Sequence, residues 1–166
     1  KAEVIVSFMA DFLGTWLNPL EFASGYAAMR SLTNGEQKLS YHIQYETGVS
    51  ISGSKADKRV RIRPSSVGGL LTGLYNSIAA LAGAEALPGG TAHESFGELA
   101  PKLWESRSKS LVICGTNDPD EQILVNAINN LLGNVGNTIS YATPLLTRKG
   151  MEDRKSTRLN SSHRIR

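Results

Sequence analysis

With 166 residues, 40% of them hydrophobic and 20% charged, the chain is long enough for one compact domain with a sizeable core and has the composition of an ordinary globular protein. Its formal charge of +3 lies wholly in residues 151–166, where Arg154, Lys155, Arg158, Arg164 and Arg166 outnumber Glu152 and Asp153; the basic and acidic residues of positions 1–150 balance. A neutral body excludes any argument from overall charge for nucleic acid or another anionic partner.

Residues 2–9, AEVIVSFM, are β-branched and almost wholly apolar, which predicts a strand covered on both faces, as in a parallel sheet. Residues 11–19 form a loop punctuated by Gly14 and Pro19, and a helix follows over 20–30. In that loop Phe12 and Trp16 can form a ligand lip, although packing against the domain is the commoner use of such residues. Leu39, Tyr41, Ile43 and Tyr45 alternate with Ser40, His42, Gln44 and Glu46, the pattern of a strand with one buried face. Val60 and Ile62 alternate with Arg59, Arg61 and Arg63. Such arginines can grip phosphates, but on an edge strand they also deter edge pairing, and the second reading is preferred.

Pro64-Ser65-Ser66 opens the next helix with a serine available to cap it, and Leu70, Leu71, Leu74, Ile78 and Leu81 give that helix an apolar stripe. Gly68, Gly69 and Gly73 would let it approach neighbouring backbone closely. Residues 67–84 are uncharged and approach membrane-spanning length, but Thr72, Asn76, Ser77 and the glycines dilute them, so a buried core helix is expected and no membrane span. A Gly/Pro loop at 87–90 precedes a helix over 95–106. The last unit reads as strand 110–114, helix 119–132 stopped by Gly133, and strand 138–141, a parallel pair joined by a crossover.

The turn before that last helix, Gly115 to Glu121, is where a nucleotide fold would bind pyrophosphate, because free backbone amides and the helix dipole favour an anion there. Here Asp118 is expected as the cap, Pro119 as the first helical residue and Glu121 as the reciprocal capping-box partner. Carboxylates thus hold the phosphate position, and GxGxxG is missing. Cys114 is the only cysteine, so the chain has no intrachain disulfide and no cysteine-rich iron-sulfur or zinc site; it reads as a small buried hydrophobe. His42, His93 and His163 show no ligand spacing. No nucleophile motif or acid-base pair stands out, so no catalytic residue and no metal ligand is assigned.

The chain opens in its first strand with neither an initiating methionine nor a charged-then-apolar leader, so a truncated N-terminus is expected. Residues 151–166 lack apolar periodicity and are expected to be a disordered tail outside the domain of residues 1–150. The string DRKSTRLNSSH within them resembles translated sequencing adapter; a solvated functional basic tail is the competing reading.

Several stretches in order, residues 4–16, 42–46, 52–57, 61–64 and 125–134, resemble the molybdopterin-oxidoreductase-like region of the iron-sulfur subunit of alternative complex III. The resemblance implies an α/β, three-layer Rossmann-like fold with a mainly parallel sheet, a truncated part of a molybdopterin oxidoreductase (DMSO reductase-like) fold. It implies partners among the other subunits of a membrane respiratory complex on the periplasmic face of the bacterial inner membrane, passing electrons from quinol towards cytochrome c or an oxidase. Iron-sulfur clusters would lie in a missing C-terminal part, with no cofactor in this fragment. In true molybdenum enzymes an Ala-Asp pair is followed by Pro-Gly-Thr-Asp, which helps hold the guanine dinucleotide of the cofactor. This chain has Ala56-Asp57 and Pro64, but Ser65, Ser66 and Val67 replace the rest. Val67 cannot accept from a guanine edge, and Ser65 adds a Cβ where glycine would allow close approach. Losing the acid would cost on the order of 1–3 kcal/mol in binding. Two further readings stand beside a structural, cofactor-free domain: a fragment of an active molybdopterin-dependent oxidoreductase, and a small Rossmann-like nucleotide-binding module.

Overall fold

A computed structural model describes residues 1–31 and 39–142; the expected tail of residues 151–166 and the domain boundary near residue 150 lie outside the described residues. The elements follow as β1 (Val4–Phe8), α1 (Pro19–Ala28), β2 (Tyr41–Glu46), α2 (Ile51–Lys55), β3 (Lys58–Arg61), a 3-10 turn (Pro64–Ser66), α3 (Val67–Ala82), α4 (Phe96–Glu105), β4 (Ser110–Cys114) and α5 (Pro119–Leu131). The strands make one four-stranded sheet in the order β3-β2-β1-β4, parallel throughout. Val6 of β1 lies beside Ile43 of β2 on one side and Val112 of β4 on the other.

The apolar run of β1 explains its inner place. Val4, Val6 and Phe8 enter a large core with Ile43, Tyr45 and Val112, covered by Leu70, Leu71, Leu74 and Ile78 of α3, Leu99 and Leu103 of α4, and Val125 and Ile128 of α5. Phe8 and Tyr45 stack with ring centroids 4.5 Å apart. On the other face Ile5 joins Ala2 and Phe12 in a smaller cluster under Trp16, Phe22 and Tyr26. Helices therefore lie on both faces of a parallel sheet, the arrangement that two-sided apolar strands require. Within α3, Leu81 leaves the stripe and is 44% exposed. Close approach falls at Gly73, where a Cβ would run into the Thr91 carbonyl, and the Thr91 amide donates to Gly69 O at 2.7 Å.

Three local expectations are corrected. The alternation in β2 does not leave one face wet: His42, Gln44 and Glu46 are buried as fully as Ile43 and Tyr45. An inner parallel strand is covered on both sides, and this row remains polar because each group finds a partner. Neither Ser65 nor Ser66 caps α3; the Ser66 hydroxyl instead donates to Arg63 O at 2.7 Å.

Finally, no strand forms over 138–141, where only an isolated bridge between Val135 and Ile139 appears among the described residues. The edge of β4 that such a strand would join is already taken by side chains. Asn129 accepts from Val112 N at 3.1 Å and donates to Val112 O at 2.7 Å, reproducing the pairing of a neighbouring backbone. The Thr138 hydroxyl donates to Ser110 O at 2.6 Å and the Gln122 amide to Cys114 O at 3.0 Å. β4 is thus a closed edge, the safeguard that a long apolar edge strand needs against stray pairing.

Candidate functional site

Open parallel sheets bind ligands beyond the carboxyl ends of their strands, at the point where the strand order reverses. Here the chain steps from β1 to β2 to β3 in one direction and then places β4 on the far side of β1, so the reversal lies between β1 and β4. The crevice at that point is closed. Gly115 N donates to Phe8 O at 2.8 Å, and a Cβ on Gly115 would lie 2.5 Å from Met9 O and 2.8 Å from Ala10 Cα. Two backbones touch where a pyrophosphate would have to pass. Met9 holds a φ of 58°, a left-handed conformation costly for a side chain of its size.

Two of the nearby helix N-termini, those of α5 and α2, are satisfied by side chains of the chain itself. At α5, Asp118 accepts from Asp120 N at 2.9 Å and more weakly from Glu121 N at 3.4 Å, with Pro119 as the first helical residue, as the sequence predicts. Glu121 departs from the capping-box expectation: its carboxylate takes a hydrogen bond from the Thr116 hydroxyl, tying down the turn. Thr116 also contacts the Cys114 sulfur at 3.1 Å. Burial raises the Cys114 thiol pKa, which keeps it protonated and a poor nucleophile.

At α2, Asp11 Oδ1 accepts from Ser52 N at 2.9 Å and from the Ser52 hydroxyl at 2.8 Å. Ser50 Oγ accepts from Gly53 N at 2.9 Å and donates to Glu46 at 2.6 Å. Glu46 is in turn paired with Arg59 Nε at 2.5 Å. Carboxylates therefore stand at the starts of α2 and α5, while α3, entered through the 3-10 turn at Pro64, has no side-chain cap.

Of the turn singled out in the sequence, Pro64, Ser65 and Ser66 make the 3-10 turn leading into α3, and Val67 is wholly buried in the main core. Val67 is thus a packing residue that faces no ligand. Beside Pro64, an open cavity of about 490 Å³ is lined by Thr47, Arg61, Ile62 and Arg63. A second hollow, about 470 Å³, runs under α1 along Ile5, Leu111 and Ile113, with Phe12, Trp16 and Phe22 around it, and a more open one of about 690 Å³ lies along Leu13, Tyr26, Arg30 and Ile51. Phe12 itself is buried, so the packing use of these aromatics predominates.

Two polar clusters escaped the sequence reading. On β2, Gln44 Nε2 donates to Ala10 O at 3.2 Å, which leaves its Oε1 to accept from His42 Nε2 at 3.1 Å. The remaining ring nitrogen faces the Tyr26 hydroxyl at 3.2 Å. Desolvation lowers the His42 pKa to about 4, so it is a neutral structural histidine. The second cluster is a chain of hydrogen bonds at the start of α4. Ser95 N donates to His93 Nδ1 at 3.1 Å, which makes that nitrogen an acceptor and directs the Ser95 hydroxyl to it at 2.7 Å; the Tyr45 hydroxyl donates to Ser95 Oγ at 2.6 Å. The array has the look of a nucleophile with its base, yet Ser95 is 4% exposed and the hollow beside it holds about 10 Å³, too little for a substrate. Its chemistry is to secure α4. A histidine two residues before a helix-opening serine was its only sequence signal.

Among the described residues no group of three or more His, Cys, Asp or Glu side chains is placed to hold a metal ion, and no helix is long and apolar enough to cross a membrane. In comparison with known proteins, no family model and no curated protein matches the chain.

Proposed function

We propose that the chain is a structural, cofactor-free part of an iron-sulfur electron-transfer subunit, built on a molybdopterin-oxidoreductase-like (DMSO reductase-like) scaffold, in a respiratory quinol:electron-acceptor oxidoreductase complex. The single observation that carries the structural, non-binding role is the filling of the carboxyl edge of the sheet at β1, β2 and β4, where the strand order reverses. Gly115 rests on Met9 and Ala10, Asp118 caps α5, and Asp11 and Glu46 serve the start of α2. A dinucleotide would have to displace these groups and repel their charge. The burial of Val67 supports the same reading, since the acid of the molybdenum-enzyme turn is replaced by a core side chain. The ordered resemblance supplies the complex, its periplasmic location and the other subunits as partners. The test is the genomic reading frame. Sequence past codon 147 is expected to continue in frame and to reach cysteine-rich cluster motifs; a stop codon without them would sink the proposal.

The strand order favours a second reading, a small Rossmann-like nucleotide-binding module, because β3-β2-β1-β4 contains the reversal that nucleotide folds use. Equilibrium dialysis against common nucleotides separates the two, with no saturable binding expected. A fragment of an active molybdopterin-dependent oxidoreductase is the third reading, resting on scaffold similarity alone.

A further inference from the structure

The two edges of the sheet are finished differently. At β4, Asn129, Thr138 and Gln122 take backbone groups that a further strand would need. At the opposite edge, among the described residues, β3 pairs with β2 alone and no side-chain hydrogen bond reaches the backbone of Lys58–Arg61. Lys58, Arg59 and Arg61 are exposed and Val60 is half-buried. Arg59 is paired with Glu46, whereas Lys58, Arg61 and Arg63 have no acidic partner among the described residues. Arg61 and Arg63 also flank the cavity of about 490 Å³ at Thr47 and Pro64.

A row of like charges opposes pairing of this edge with the same edge of a second copy, because like charges set opposite each other across strands repel. The ladder stays open to a strand of the other sign. Successive side chains alternate between faces, so Arg59 and Arg61 project from one face and Val60 from the other. A matching strand therefore alternates acidic and apolar residues. We propose that the β3 edge is a docking site for an extended acidic segment of a partner protein, added beyond Lys58–Arg61 as a further strand, with carboxylates on Arg61 and Arg63 and apolar side chains beside Val60. The inference deepens the structural role proposed above and rests on it only for there being a partner.

The test is fluorescence anisotropy with the full chain and a short labelled peptide alternating Glu and Val. Saturable binding that weakens as salt rises is expected. The R61E/R63E variant, changed at two exposed side chains, should bind this peptide at least about tenfold more weakly and should instead bind a peptide alternating Lys and Val. N-methylation of alternate amides on the Glu/Val peptide should abolish binding, because the ladder bonds are lost. Absence of saturable binding by the unmodified peptide would overturn the site. Equal binding of the N-methylated peptide, displaced by inorganic pyrophosphate, would make this a small-anion site and would overturn strand addition. The probe needs no respiratory partner, so its failure would remove this site while the reading of the parent subunit stayed with the sequence past codon 147.

Discussion

Replacing Asn129 by alanine removes the side chain that stands in for a neighbouring strand at β4. Asn129 and Val112 are 1% and 0% exposed, so water cannot readily replace what is lost. The amide gives or takes four hydrogen bonds: with Val112 N, with Val112 O, with Val125 O at 3.0 Å, and with Asn134 Nδ2 at 2.9 Å. Val125 O lies in the helix ladder and keeps its backbone partner, so the main loss falls on Val112. An orphaned buried donor and acceptor cost about 1–3 kcal/mol each, and partial relaxation makes the pair less than additive, so a loss of about 3 kcal/mol is expected. That is a large fraction of the roughly 5–15 kcal/mol stability of a domain. Urea unfolding followed by the fluorescence of Trp16 and Trp104 measures it. The midpoint should fall with the slope unchanged, and the Val112 amide should lose hydrogen-exchange protection. The opened edge should also raise the tendency to associate. A loss under about 0.5 kcal/mol, with Val112 still protected, would refute the account of how this edge is closed.

His42 gives a pH signature. Its pKa of about 4 in the folded chain lies below the unfolded value near 6.5, so the unfolded state binds the extra proton between those values, and stability should be lost as pH falls from about 6.5 to 4. The full effect is on the order of 3 kcal/mol, and a pH series of urea midpoints for H42Q should lack that component. Asp57 behaves in the same direction at lower pH. Its ion pair with Arg30 holds its pKa below the usual carboxylate value, so D57N should destabilise at neutral pH and lose its effect in acid, as thermal melts would show. Two glycine substitutions should differ in sign. G73A meets the Thr91 carbonyl and should cost about 1–3 kcal/mol despite its better helix propensity, whereas G25A, exposed on α1 with open space around its Cβ, should gain up to about 1 kcal/mol; denaturant midpoints compare them.

The elements legible in the sequence were those whose signal is local. The apolar runs of β1 and β4, the leucine stripe of α3 and the Asp118-Pro119 start of α5 each lie within a few residues, and the structure places all of them. What could not be read depends on partners distant along the chain. His42, Gln44 and Glu46 alternate like a wet face, and their burial follows from the loop at Ala10, from Ser50 and from Tyr26. Asn129 looks like a solvent-side helix residue, and only the fold brings it to Val112, 17 positions away. The strand expected at 138–141 is absent for the same reason, because Asn129 already takes Val112 N and O on that edge of β4. In the candidate site, the cap at Asp118 was readable, but Asp11 meets Ser52 across 41 positions. The bond from Thr116 to Glu121 competes with the capping box through a turn geometry that composition does not encode.

The proposed function is that of a scaffold that holds no molybdopterin and serves an iron-sulfur subunit. Its most direct test is metal and pterin analysis of the intact parent protein purified from its native membranes. The account predicts iron with acid-labile sulfide, no stoichiometric molybdenum or tungsten and no extractable pterin. Molybdenum or tungsten in a one-to-one ratio with the subunit, together with extractable pterin, would contradict it.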